Sequence, residues 1–240
     1  MDLKLLKYFY GLDSLERHRA VARIVRDALA PPATLLDVGG EVSLRCNHLG
    51  RFLKGYHTTT LNVARRSDIS YGGKVLPVGD AAFDVVVSLD TAEHVPQNER
   101  ADWVKDFFRV ARKFVILCGP LDTEFQRAAD RELNDLFRRL FDQDHHYLSE
   151  HIACGLPNLG EIRTWTNGRP YQLWFDGDAR IYRKHAESLF RWQKAAGPLK
   201  SPVKLLHQLY TLQNIHPLRL HPEPHAFTRR WYLRVDLSGT

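Results

Sequence analysis

The run Phe83–Leu89, FDVVVSL, limits the fold more than any other segment of this chain. It is apolar on both faces of an extended backbone, so a strand here needs cover above and below. The interior of a parallel sheet with helices on both faces provides that cover, whereas an antiparallel sheet with one wet face does not. Two further short apolar runs share this character. They are Thr34–Val38, closed by Gly39-Gly40, and Phe114–Cys118, closed by Gly119-Pro120. Tyr56–Val63 is rich in β-branched residues and reads as another strand.

Helical periodicity alternates with these runs. Leu12, Leu15, Val21, Ile24, Val25 and Leu29 repeat at helical spacing before Pro31-Pro32. Glu99–Arg112 places Trp103, Phe107, Val110 and Ala111 on one side. The polar–apolar mixture from Glu41 to about Lys54 is also expected to be helical. Strand–helix alternation of this kind implies βαβ units and an α/β fold. After Pro120 the rhythm changes. Glu124–Phe141 is a long amphipathic helix, and DHHYLSEHIACGLPNL after it reads as a His-rich loop. Tyr171–Phe175 is a strand, Ala179–Gln193 and Val203–Leu212 are helices, and Trp231–Leu237 is a closing antiparallel strand. No linker divides the 240 residues, so one domain is expected: an N-terminal helical segment (1–33), a ligand-binding core (34–120), and an insertion with C-terminal strands and a basic tail (121–240).

Charge is unevenly spread. Residues 179–240 carry 11 Lys/Arg against 3 Asp/Glu, whereas residues 1–178 carry 23 against 25. The basic quarter fits either a solvated face or weak contact with an anionic membrane surface. No motif for nucleic acid is present, so no specific nucleic-acid partner is expected. Three cysteines without a CxxC pair make no disulfide framework, which favours a reducing, cytoplasmic compartment. The N-terminus lacks the pattern of a signal peptide, and no apolar run reaches the length of a membrane span.

Leu35–Val42, LLDVGGEV, carries the chemistry. A buried strand ending in Asp-x-Gly-Gly opens a crevice at a strand's carboxyl end, glycine lets backbone approach a ligand, and a following helix N-terminus would offer free N–H groups. The lesser alternative is that Asp37 simply caps the following turn. Three later segments keep order with it: Leu61-Asn62 ending the second strand, LPVGDAAFDVVVSLDTAEHV, and ARKFVILCGP. Together the series resembles the class I S-adenosylmethionine-dependent methyltransferases, in particular their type-11 group, closely over residues 15–120. The resemblance implies a Rossmann-like, seven-stranded, mostly parallel sheet with helices on both faces and a helical insertion. It implies S-adenosylmethionine as cofactor, held by Asp37, Val38, Gly39, Gly40, Asn62 and Asp90, with the Gly79–Phe83 loop closing the crevice. Asp90 and His94 then stand as the catalytic candidates. A softer likeness to methyltransferases of glycan biosynthesis rests on Ser149, Glu150, His151, Gly155, Leu156 and Pro157, and implies a small-molecule or saccharide acceptor. Docking of the Glu124–Phe141 helix on the core would hold the polar loop after it over the crevice, with Tyr147 and His151 as the acceptor contacts.

The departures from the family pattern fall on the cofactor contacts. Glu41 replaces the second motif glycine and sets a carboxylate beside the cofactor's own, unless it points outward or pairs with a base such as Arg45. Asn62 stands where the family has an acid for the ribose hydroxyls and lacks its charge-assisted strength. The competing reading is therefore a non-catalytic binding or scaffold protein of the same fold. Related quinone-pathway enzymes bind a divalent metal at positions matching Asp90, Glu93 and His94. The same spacing is also a helix-capping pattern, and no metal is assigned. His145, His146, His151 and Cys154 match no closed zinc spacing. Trp165, Tyr171 and Trp174 read either as stacking residues for a substrate or as core. The acceptor's identity and the oligomeric state stay open.

Overall fold

The computed structural model describes residues 12–43, 46–47, 49–63 and 66–237. Its strands are β1 (Thr34–Val38), β2 (Val42–Ser43), β3 (Cys46–Asn47), β4 (His57–Asn62), β5 (Ile69–Ser70), β6 (Phe83–Leu89), β7 (Ala111–Pro120), β8 (Tyr171–Asp178) and β9 (Thr228–Asp236). Its helices are α1 (Leu12–Ala28), α2 (Arg100–Val110), α3 (Glu124–Phe141), α4 (His146–Cys154), α5 (Leu159–Thr164), α6 (Ala179–Lys194) and α7 (Lys200–Gln213). Seven strands form one sheet in the order β5-β4-β1-β6-β7-β9-β8. Every pairing from β5 to β7 is parallel, and β9 runs antiparallel to both of its neighbours. This is the mostly parallel, Rossmann-like sheet that the apolar runs imply.

Both faces are covered because alternate residues of each central strand are apolar. Leu36, Val38, Val86, Val115 and Leu117 pack on one face with Trp103 and Phe107 of α2 and Ile162 of α5. Leu35, Val85, Val87 and Ile116 pack on the other with Val21, Ile24 and Val25 of α1. The inserted helices build a third, smaller core of their own from Leu133, Leu148, Ala186 and Phe190. Chain order then fixes where a ligand can sit. From β1 the chain moves to β4 and β5 on one side, then returns to β6 and β7 on the other. A crevice therefore opens at the carboxyl ends of β1 and β6.

Three segments differ from expectation. The Gly79–Phe83 loop, expected to close the crevice, precedes β6 and lies at the opposite end of the sheet, where Ala81 N–H donates to Arg109 O at 2.8 Å. Between Glu41 and Lys54 the described residues form the short β2–β3 pairing and a single 3-10 turn, Leu49–Arg51, in place of a helix. Val42, Ser43, Cys46 and Asn47 are weak helix formers, and Val42 N–H instead donates to Arg66 O at 2.7 Å. Among the described residues, the helix N-terminus expected after the glycine turn is therefore not found. Conversely, the His-rich stretch contains helices α4 and α5. The His145 ring accepts from Leu148 N–H at 3.4 Å to start α4, and Gly155 at φ +74° ends it. Asn158 caps α5 by accepting from Glu161 N–H.

Candidate functional site

The glycine turn is tight and self-contained. Gly39 sits at φ +87°, and a Cβ there would overlap Thr91 Oγ1, while one on Gly40 would stand 2.5 Å from Asp37 Cγ. Both positions therefore need glycine for close approach of the chain to itself. Gly39 N–H donates to Leu61 O at 2.7 Å, and Asn62 Nδ2 donates to Gly39 O at 2.9 Å and to Gly40 O at 3.3 Å. The Asn62 amide, expected to face a ribose, is turned onto the loop carbonyls. Glu41 is exposed to solvent, and Arg45 lies outside the described residues. Burial pushes the Asp37 carboxyl up to about 7, against the pull of the Arg17 guanidinium.

Asp90 closes the other side of the crevice. It occupies the left-handed region at φ +50°, and its carboxylate is held by Arg17 from α1 and Arg230 from β9. Arg230 also reaches Asp13 Oδ2 at 2.7 Å, and Arg229 Nε lies 3.4 Å from Asp13 Oδ1. Burial raises the Asp13 pKa, but Arg230, Arg229 and Arg17 outweigh it and hold the carboxyl below its ordinary range. The first helix and the last strand are thereby tied together across the end of β6. The sequence singled out neither arginine. They lie 73 and 140 residues from Asp90, so no local pattern links them.

A second group of side chains gathers beside that end. Glu93, in the 3-10 turn Ala92–His94, is 1% exposed, and its Oε2 has no hydrogen-bond partner. Burial drives its pKa up, against the pull of His151. The helical insertion delivers His151 from α4. Its Nε2 lies 3.9 Å from Glu93 Oε1, and its Nδ1 lies 3.0 Å from Asp130 Oδ2. Gln126 Nε2 donates to the other Asp130 oxygen at 2.6 Å and fixes that carboxylate. The His94 ring lies 5.1 Å from that of His151 and 5.4 Å from that of Tyr147, with Nδ1 2.7 Å from Glu150 Oε2. Burial and the neighbouring His151 lower the His94 pKa to about 4, so the ring is neutral at pH 7.

Donor atoms of Glu93, His94 and His151 lie within 4.8 Å of one another. Two imidazoles and a carboxylate suit a divalent transition ion, at whose ~2 Å bonds the ligand atoms would draw about 1 Å closer together. Asp90, named with Glu93 and His94 from spacing, is outside this group because the two arginines hold it.

Arg100 sets the distance between the β6 loop and the insertion. Its fully buried guanidinium bonds Val95 O at 2.9 Å, Glu161 Oε1 at 3.1 Å and Cys154 O at 3.1 Å. A cavity of about 180 Å³ opens alongside, lined by Asp130, His151, Ile152, Arg127 and Arg131. Of the other histidines named from sequence, His145 caps α4 and the exposed His146 lies 3.4 Å from Glu150. Trp165 packs in the core against Trp231 at 5.6 Å, whereas Tyr171 is exposed. Cys118 is buried and its thiol pKa is raised by burial. Sequence reasoning missed Arg17, Thr91, Arg100, Asp130 and Arg230. Only Asp130 left a local signal, its i, i+4 spacing from Gln126 on the inner face of α3.

No family model and no curated protein sequence matches the chain. Solved structures do. The chain is similar to the plantazolicin methyltransferase BpumL, solved with a desmethylPZN analogue and S-adenosylhomocysteine. That match has a TM-score of 0.54 and 8% identity, covering 97% of this chain and 88% of that one. It is similar to the 4+2 cyclase SpnF, with a TM-score of 0.51 and 13% identity, covering 91% and 80% of the two chains. It is also similar to the YcgJ protein of Bacillus subtilis, with a TM-score of 0.50 and 13% identity over 93% and 100%. A methyltransferase and a cyclase thus share one sheet, so the fold by itself does not name the reaction. With its single antiparallel strand β9, helices on both faces and a crevice at the ends of β1 and β6, the chain has the Rossmann-like fold of the class I S-adenosylmethionine-dependent methyltransferases.

Proposed function

We propose that the protein binds S-adenosylmethionine at the ends of β1, β4 and β6 and methylates a hydroxyl of a small-molecule or saccharide acceptor. One observation carries this reading. Three groups from two elements, His94 of the 3-10 turn after β6 and Tyr147 and His151 of α4, converge beside the end of β6, next to the Gly39 turn at the point where strand order reverses. When bound, the cofactor would supply an electrophilic sulfonium methyl group and carry away the sulfur as a neutral thioether. The chain's part is to hold the acceptor oxygen in line, exclude water and take its proton. His94, neutral at pH 7, would accept the proton, and the Glu150 carboxylate beside Nδ1 would stabilise the imidazolium that forms. The polar face of α4 can hydrogen-bond a hydroxylated acceptor.

The turn fits the cofactor in backbone shape and opposes it in hydrogen bonding. Gly39 keeps the left-handed conformation, but Asn62 must leave two carbonyls before it reaches a ribose. That second observation favours the non-catalytic reading and requires modest cofactor affinity under the catalytic one. Labelled methyl transfer to hydroxylated acceptors tests the proposal, with Tyr147→Ala and His151→Gln as variants. Transfer should fall at least tenfold while S-adenosylhomocysteine affinity and, for the exposed Tyr147, melting temperature hold. Unchanged transfer in both variants contradicts the assignment.

A further inference from the structure

Helix α7 turns its apolar side away from the protein. His207 is its one buried residue, whereas Leu199, just before it, and Leu205, Leu206, Leu209 and Leu212 are 45–67% exposed. At 100° per residue the last four fall within an arc of about 120°, the width of an amphipathic stripe. The opposite side is pinned to α6. His207 Nδ1 lies 2.7 Å from Ser188 Oγ, His185 Nε2 lies 3.1 Å from Thr211 Oγ1, and the Tyr210 hydroxyl donates to Ile181 O at 3.3 Å. Rotating the helix to hide its leucines would break all three contacts. Charge is one-sided over the same region. Residues 188–222 contain no Asp or Glu, and Lys194, Lys200, Lys204 and Arg219 are exposed, while Arg191 is paired with Glu187 at 2.8 Å.

We propose that α7 is a membrane-surface anchor, which lays its leucines at the acyl boundary of an anionic lipid surface while the net positive charge of the surrounding region draws it to the headgroups. Contiguous exposed apolar area marks a partner surface, and an in-plane helix with cationic flanks fits an anionic leaflet. Charge decides between lipid and a second copy. Two-fold pairing sets a patch against itself and would bring the net-positive region around α7 of one copy close to that of the other. A single convex helix offers no groove for a peptide. With 14 residues, α7 is shorter than the roughly 20 needed to span a bilayer, so it lies on the surface.

The test is sedimentation of the full chain with phosphatidylcholine vesicles, with and without about a quarter phosphatidylglycerol, at low salt and near 0.5 M salt. The chain should bind the anionic vesicles, bind neutral ones at least tenfold more weakly, and release as salt rises. Leu206→Glu with Leu209→Glu, both at exposed positions, should weaken binding at least tenfold with an unchanged melting temperature. Lys200→Glu with Lys204→Glu should weaken it while leaving every leucine in place. Absence of binding to anionic vesicles overturns the proposal. So does a mass of two chains in solution that the leucine variant converts to one, which would assign the face to a second copy. Neither outcome depends on cofactor binding.

Discussion

At the scale of single residues, the cofactor crevice is governed by where Asn62 points. Its amide bridges two loop carbonyls, so a ligand must compete with those bonds. Asn62→Asp replaces a donor with a charged acceptor, which the carbonyls repel and ribose hydroxyls attract. Calorimetry should show about tenfold tighter S-adenosylhomocysteine binding, and unfolding should show ~1–3 kcal/mol lower stability from the two lost bonds. Glu41, in contrast, is exposed, so Glu41→Gly should change affinity by less than about threefold at physiological salt.

Asp37 makes stability depend on pH. Folded, it keeps its proton to about pH 7, whereas the unfolded chain loses it near 3.8. The folded state therefore binds more protons between those values, and stability falls as pH rises through that window, by ~4 kcal/mol at most. Asp37→Asn should remove this slope, read as a stability difference between variant and parent that grows from pH 4 to pH 8. An unchanged slope would mean that Asp37 stays ionised.

At the scale of elements, α4 carries the proposed acceptor groups and α5 follows it, and Arg100 anchors both. Arg100→Met leaves Glu161 and the carbonyls of Val95, Cys154 and Gly155 without their partner in a dry interface and should cost ~3–5 kcal/mol in chemical unfolding. Removing the charge on both sides, with Glu161→Leu added, should restore part of that loss. Periodicity exposed the strands and α3 because their burial is local. FDVVVSL is apolar on both faces, and the stripe of α3 runs from Glu124 to Phe141. Helix α4 was hidden because it starts on a histidine cap and buries only Leu148 and His151. The helix expected from Glu41 to Lys54 shows the opposite error, a polar–apolar mixture whose residues prefer extended pairing.

At the scale of the whole molecule, the site is made by long-range contacts that no window of sequence contains. The β1–Gly39 turn, Asp90 and His94 were legible because each follows directly from a strand's end. The arginines on Asp90 and the Asp130–His151–Glu93 chain were not, since each joins segments from different layers of the fold. The central claim is that this crevice binds S-adenosylmethionine despite its altered contacts. Isothermal titration of the purified chain with S-adenosylhomocysteine tests it most directly, with Gly39→Val as the control. The account predicts one saturable site of micromolar to submillimolar affinity, about −5 to −8 kcal/mol, that the valine variant abolishes. Absence of heat at millimolar ligand, or equal binding by a folded Gly39→Val, would contradict it.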